Sequence, residues 1–267
     1  MKISLAQKKL LNILYANSRI TNIELGDMLG KSRQTIWQYI KSLNSNGSGF
    51  EKTQIFHPNR EDNRIFFIEI KTNPEEPEII SELSNLYQTK SIDGIIGDTS
   101  LMVKFRVRKN EEFRAVLKRL DTIIAQSRFQ FYHVIDILGV FKEAGHIFSR
   151  DIEEVFHTIR LAHSFLSHTD FPLKWYLQLI PKTLTEYTEI AEEILAPRKE
   201  IVNLYRTGQE FGLFAVVRTK TKEEYSQFIQ SLYNTKKFQD SKTIFVLDER
   251  LPSTFQPYRL KSDRERV

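Results

Sequence analysis

Two stretches of this chain repeat each other at a fixed distance. Leu101-Met-Val-Lys-Phe-Arg-Val-Arg108 alternates as a strand, and Glu111-Glu112-Phe113 then opens an amphipathic helix. The strand Leu213-Phe-Ala-Val-Val-Arg218 and the helix start Glu223-Glu224-Tyr225 follow 112 residues later, Leu101 matching Leu213 and Phe113 matching Tyr225. Strand, loop length and helix start all hold the offset. One repeat of this size means two copies of a domain, not a solenoid, whose periods are far shorter.

Each copy carries the same order of elements. In the first, residues 64–71 read as a strand and 74–87 as a helix with Ile79, Ile80, Leu83 and Leu86 on one face. A short strand over 92–96 is closed by Gly97-Asp98. The strand at 101–108, a helix over 111–126 and an apolar strand over 129–141 follow. The second copy runs through a strand at 173–180, a helix at 185–195, strands at 201–206 and 213–218, a helix at 222–234 and a strand at 243–247. Strand-helix-strand-strand-helix-strand is the ferredoxin-like unit. Between the copies, Ile152, Val155, Phe156, Ile159 and Phe165 predict a connecting helix.

Ahead of both copies stands a different pattern. Thr21 and Glu24 fit a capping box, in which each side chain satisfies a free backbone donor at a helix start. Ile23, Leu25, Met28 and Leu29 supply an apolar stripe, and Gly30 stops the helix. Ser32 caps a second helix almost at once. Ile36, Ile40 and Leu43 should face inward, leaving Arg33, Gln34, Gln38 and Lys41 outside. Trp37 either covers the core edge or stands at the outer surface. With a first helix over 5–17, this is a helix-turn-helix. After the breaker Asn44-Ser-Asn-Gly47-Ser-Gly49, weak alternation from Phe50 to Phe56 and a polar turn at 58–63 predict a wing hairpin. The domains expected are 1–62, 63–144, a connector over 145–170, 171–252 and a polar tail over 253–267. The fold class is α+β.

Arg and Gln make paired hydrogen bonds to guanine and adenine edges, so Arg33, Gln34, Trp37 and Gln38 form the expected base-reading set. Lys31, Ser32, Thr35, Lys41, Lys52 and Arg60 are expected on phosphates. Charge agrees. Residues 1–62 hold nine Lys or Arg against five Asp or Glu, most of the chain's net +5. A basic module on a near-neutral remainder fits phosphate contact by one part of the molecule. Architectural DNA binding with low specificity is the alternative.

Other classes are disfavoured. There is no cysteine, which rules out disulfides, thiol nucleophiles and Cys-ligated zinc. His157, His163 and His168 are six and five residues apart, off the spacing of helical zinc ligands. His133 beside Tyr132 and near Asp136 is the nearest approach to a catalytic group, but strand alternation sends His133 and Asp136 to opposite faces. No catalytic residue, metal or cofactor is expected. No apolar run approaches the ~20 residues that span a bilayer, so a cytoplasmic protein without membrane contact is expected.

Residues 8–59 resemble the DNA-binding domain of the Lrp/AsnC, or feast/famine, regulators. The matching features are Ile13-Leu14, Arg19-Ile20 before Thr-Asn-Ile-Glu-Leu, Ser32 opening the second helix, and Ile40-Lys-Ser-Leu43. Residues 64–142 and 173–251 each resemble that family's effector-binding RAM domain. The resemblance implies a transcription regulator, with a small amino-acid-like effector at the loop Gly97, Asp98, Thr99, Ser100 and at its counterpart Gly208, Gln209, Glu210. Where the family usually has a second loop acid, this chain has Ser100; the counterpart keeps Glu210 alone. Double-stranded DNA is the implied partner. One helix-turn-helix per chain implies self-association, at least to a homodimer, because such regulators present two reading heads to successive grooves.

Overall fold

The structure, a computed structural model, describes residues 4–45, 50–60, 63–73, 75–148, 155–160, 171–183, 186–208 and 211–251. The backbone forms two compact units. One takes residues 1–57, 153–170 and 257–267; the other takes 58–152 and 171–256.

The first unit contains α1 (Leu5–Ala16), α2 (Asn22–Leu29) and α3 (Arg33–Ser45). Ser4 and Gln7 form a capping box at the start of α1, and the Gln7 amide donates to Ser42 Oγ at 2.7 Å, tying α1 to α3. Leu10, Leu11, Leu14, Leu25, Ile36 and Leu43 make the buried core, with Leu29 and Ile40 packed against it. Ile23 and Met28, expected in the α2 stripe, are instead exposed. Leu25 and Leu29, one turn apart, already fill the inward face of so short a helix.

The expected wing hairpin is not formed. β1 (Glu51–Phe56) pairs antiparallel with β7 (Val155–Arg160), from Glu51 opposite Arg160 to Phe56 opposite Val155. β7 also corrects the connecting helix expected between the repeats: residues 155–160 are a strand. Its Ile159 is buried in the helical core. The chain therefore leaves the helix-turn-helix, builds the first repeat, and returns to finish the N-terminal unit before the second. His163, His168 and the tail over 253–267 lie outside the described residues.

The second unit contains both repeats. The first is β2 (Arg64–Lys71), α4 (Pro77–Ser84), β3 (Thr89–Ile95), β4 (Leu101–Val107), α5 (Asn110–Ile124) and β5 (Phe131–Glu143), extended by the two-residue β6 (His146–Ile147). The second repeat opens with β8 (Leu173–Pro181) and α6, a turn of α-helix Tyr187–Glu189 running into a π-helical stretch Ile190–Leu195. It continues with β9 (Ile201–Thr207), β10 (Leu213–Thr219), α7 (Lys222–Tyr233) and β11 (Phe238–Leu251). β3 and β9, β4 and β10, and the starts of α5 and α7 all keep the 112-residue offset, as Thr89 to Ile201, Leu101 to Leu213 and Asn110 to Lys222.

The two repeats are not separate domains. The sheet runs β2-β4-β3-β11-β8-β10-β9-β5, and β5 pairs back onto β2. Eight strands thus close on themselves. β5 pairs with β2 over 131–136 and then with β9 from Ile137. β11 pairs with β8 up to Phe245 and then with β3 from Val246. The helix-side cores are Phe66, Ile68, Ile70, Val103, Phe105, Val116 and Leu120 in the first repeat, and Trp175, Leu177, Leu179, Ala215, Tyr225 and Phe228 in the second. On the enclosed face, Phe67 of β2 meets Tyr176, Tyr205 and Phe214 of the second repeat at ring-centroid distances of 6.1, 5.4 and 4.9 Å.

Buried charges join the repeats at both seams. At one, the Lys104 ammonium donates to Glu143 and, at 3.0 Å, to the Tyr205 hydroxyl, which itself donates to Glu143 at 2.5 Å. Burial raises the Glu143 carboxyl, but Lys104 and Arg106 outweigh it and hold the group below the usual carboxylate range. At the other seam, Lys174 reaches Asp93 at 2.6 Å, Tyr176 also donates to Asp93, and Arg218 pairs with Glu249 at 2.6 Å. Here burial wins, and the Asp93 carboxyl is pushed up despite Lys174.

Removing one member of such a pair leaves a buried charge uncompensated, which costs about 3–5 kcal/mol, whereas replacing the pair by apolar groups is near neutral. Lys104→Met should therefore lower stability by that amount in denaturant titrations. Lys104→Met with Glu143→Leu should recover most of it. Equal losses in the single and double variants would show that the pair's charge is not what the seam needs.

Candidate nucleic-acid interface and ligand pocket

The helix-turn-helix is assembled from local hydrogen bonds. Thr21 Oγ1 accepts from Glu24 N at 3.3 Å, and Glu24 Oε2 accepts from Thr21 N at 2.8 Å, the capping box expected from the sequence. The Thr21 N–H, and after it the Thr21 hydroxyl, which donates to Glu24 Oε2 at 2.8 Å, hold the Glu24 carboxyl below its usual range. Gly30 ends α2 in the left-handed conformation at φ 60°. The turn then folds back so closely that Lys31 N donates to Gly26 O at 2.9 Å. A Cβ at Gly26 would meet the Lys31 carbonyl oxygen at 2.6 Å, so the helix can carry only glycine there without a backbone shift. Gly26 was not singled out from the sequence; its signal is a small residue in mid-helix, four positions before the Gly30 stop.

Ser32 Oγ accepts from Thr35 N at 3.1 Å, capping α3, and lies 2.9 Å from Thr35 Oγ1, so both expected phosphate hydroxyls are already hydrogen-bonded. Beyond them Arg33, Gln34, Trp37, Gln38 and Lys41 are all exposed. Trp37 is 52% exposed, which places it on the outer surface, with the Lys41 ammonium 4.9 Å from its ring centre. Lys31 and Lys52 are exposed, Lys52 on β1. Arg60 departs from expectation: it belongs not to a wing but to the second unit, where it lines a cavity with Arg64 and Arg108.

A second site lies in the closed sheet. Gly97, Asp98 and Thr99 line a cavity of about 180 Å³ together with Glu69, Phe131 and His133 of the first repeat and Lys242 of the second. Glu69 is buried, and its Oε1 has no hydrogen-bond partner among the described residues, while Oε2 lies 3.4 Å from His133 Nδ1. Ser100 is turned away, accepting from Thr72 N at 2.8 Å. The counterpart loop is different. Gly208 lies against Leu138, and a Cβ at Gly212 would overlap the Tyr187 ring, which packs over that turn. Gln209 and Glu210 lie outside the described residues.

Two family patterns fit the chain: winged helix-turn-helix DNA-binding over residues 4–47, and the Lrp/AsnC ligand binding domain over residues 178–254. The chain thus carries an Lrp/AsnC ligand binding domain. Among solved structures, the siroheme decarboxylase NirDL is 13% identical and matches 97% of this chain and 94% of its own, with a TM-score of 0.60. The chain thus shares the fold of NirDL over nearly its whole length. AsnC of E. coli is 19% identical over 58% of this chain and 100% of its own, with a TM-score of 0.40. LrpA of Mycobacterium tuberculosis is 22% identical over 53% of this chain and 96% of its own, with a TM-score of 0.41. No curated protein is significantly similar in sequence. Among the described residues no helix is long and apolar enough to cross a membrane.

Forcing a side chain into a close-packed backbone contact costs about 1–3 kcal/mol. Gly26→Ala should lower the melting temperature of the protein and shift the α2–α3 turn, visible as loss of amide protection at Lys31. An unchanged melting temperature with intact protection would mean that the turn is not under this constraint.

Proposed function

We propose that the chain is a sequence-specific DNA-binding regulator that reads the major groove with α3 and responds to a small ligand at the Gly97 loop. The observation that carries this reading is the exposed run Arg33, Gln34, Trp37, Gln38 and Lys41, set on a capped helix behind a tight turn. Arg33, Gln34 and Gln38 supply paired donors and acceptors for base edges, and Trp37 adds an apolar surface for a thymine methyl. Lys31, Lys41 and Lys52 neutralise phosphates and set the register. Within the ligand cavity, Glu69 offers an acceptor for an ammonium group and Lys242 a donor for a carboxylate, the two requirements of a free amino acid. The volume, below the ~300 Å³ at which drug-sized sites begin, suits a ligand of that size.

A second reading is tetrapyrrole chemistry. It is favoured by the chain-length likeness to NirDL, which also has a structure in complex with an iron-uroporphyrin III analogue. His133 beside Glu69 is then the acid–base candidate. Titration with siroheme, followed by absorption and by release of carbon dioxide, separates the two readings.

The main test is selection of bound sequences from random DNA by the purified chain. A sharp motif with two half-sites about one helical turn apart supports a regulator acting as a homodimer. A flat profile supports the architectural alternative. Arg33→Ala and Gln38→Ala should each weaken the selected site by about 1–3 kcal/mol more than random DNA. Lys41→Ala should weaken both and reduce the salt slope by about one. Light scattering without DNA should give about twice the 31.5 kDa chain mass. A mass of one chain would sink the dimer.

A further inference from the structure

We propose that the cavity at the Gly97 loop selects a diamino acid, an amino acid with a second ammonium at the end of its side chain, and that Glu69 sets this selectivity. The inference rests on the effector reading of that loop and names the class of ligand the loop takes.

One buried oxygen points to it. The Glu69 side chain lines the cavity and is 9% exposed. Its Oε2 lies 3.4 Å from His133 Nδ1, while Oε1 meets no donor among the described residues. A buried carboxylate is costly unless it is paired and hydrogen-bonded. A ligand ammonium at Oε1 supplies the missing donor, in a charge-assisted bond.

The second repeat shows that the fold itself does not require a charge at this place. Glu69 stands opposite Met102 on β4 and His133 on β5. Gln178 stands opposite Phe214 on β10 and Lys242 on β11. Met102 and Phe214 keep the 112-residue offset, and Glu69 to Gln178 and His133 to Lys242 share one of 109. Gln178 is therefore the counterpart of Glu69. It is as deeply buried, and its Oε1 likewise has no partner among the described residues. The sheet accommodates an uncharged amide there, of the same size and shape. The carboxylate stands in the repeat whose loop borders the cavity, where its charge serves a cation.

The remaining lining fits the rest of such a ligand. Ile96, Phe131 and Ile244 line the same cavity, and Ile96 and Phe131 are exposed. The methylenes of the ligand's side chain cover them, which removes apolar surface from water. Asp98 and Lys242 also line the cavity, both exposed. They offer an acid to the α-ammonium and a base to the α-carboxylate. Beside His133, the lining thus holds two acids and one lysine, the complement of two ammoniums and one carboxylate. Glu69 carries the selectivity because a buried charge is screened less than an exposed one.

The test is calorimetric titration of the full chain with L-lysine and, separately, with L-norleucine, which has the same carbon chain without the terminal ammonium. Lysine should bind with a Kd below about 1 mM, and norleucine at least about tenfold more weakly. Glu69→Gln should bring lysine down to the affinity of norleucine and leave norleucine unchanged, with no loss in melting temperature. Equal affinities for the two amino acids in the unaltered chain overturn the selectivity and leave the effector reading standing. Binding of neither overturns both. A Glu69→Gln chain that stays folded but binds both ligands equally less well assigns Glu69 to the shape of the cavity and overturns its part in selection. The two-ligand comparison in the unaltered chain decides the charge preference even where the variant unfolds.

Discussion

The C-terminal unit depends on two strands that are longer than their own repeat can use. A ferredoxin-like sheet leaves two edges, and an open edge is a row of unpaired backbone donors and acceptors. β5 spends its first half on β2 and its second on β9; β11 does the same with β8 and β3. Each repeat's last strand thus covers an edge of the other, and the sheet closes on itself. Closure removes the edges outright. It also encloses the sheet faces opposite the helices, where Phe67, Tyr176, Tyr205 and Phe214 pack together.

That closure fixes register as well as shape. A strand shifted by one residue sends every side chain to the opposite face. At the β3–β11 seam, Asp93 stands opposite Glu249 and both meet Lys174. At the β5–β9 seam, Glu143 meets Lys104 and Tyr205. A slip would strand these charges among apolar neighbours, with a desolvation penalty of several kcal/mol per ion. The seams therefore discriminate between pairings more than they add stability.

Much of this was legible. The 112-residue offset survives in β3, β4 and α5 and their counterparts because those elements are strongly patterned and their loops have equal length. β2 was read with its observed limits from the run Arg64 to Lys71. What failed involved partners distant in sequence. Ile152, Val155, Phe156 and Ile159 fit a helical stripe, and short apolar runs do not separate helix from strand. Only the pairing with β1, about a hundred residues earlier, decides the matter. Arg60 was misplaced for the same reason: the wing's second strand comes from β7, so the turn after β1 is free to join the other unit. Glu69 did leave a signal. It shares the alternating face of Ile65 and Phe67, an apolar face on which a carboxylate is costly unless it meets a partner.

The duplication has a consequence that identical paired chains do not allow. Two identical subunits about a two-fold axis present every surface twice. Here the halves have diverged at equivalent positions. The first keeps a hollow at Gly97, with Glu69 and His133 from its own strands and Lys242 from β11 of the second repeat. In the second, Tyr187 packs over Gly212 and Arg206 stacks on Tyr187 with 5.0 Å to the ring centre. The same asymmetry holds at the helix starts, capped by Thr221 in one repeat and carrying Lys109 in the other. At the Gly97 hollow the second repeat thus contributes Lys242, while the first supplies Glu69 and His133. Fusion makes this division possible, because a substitution in one repeat no longer appears in both.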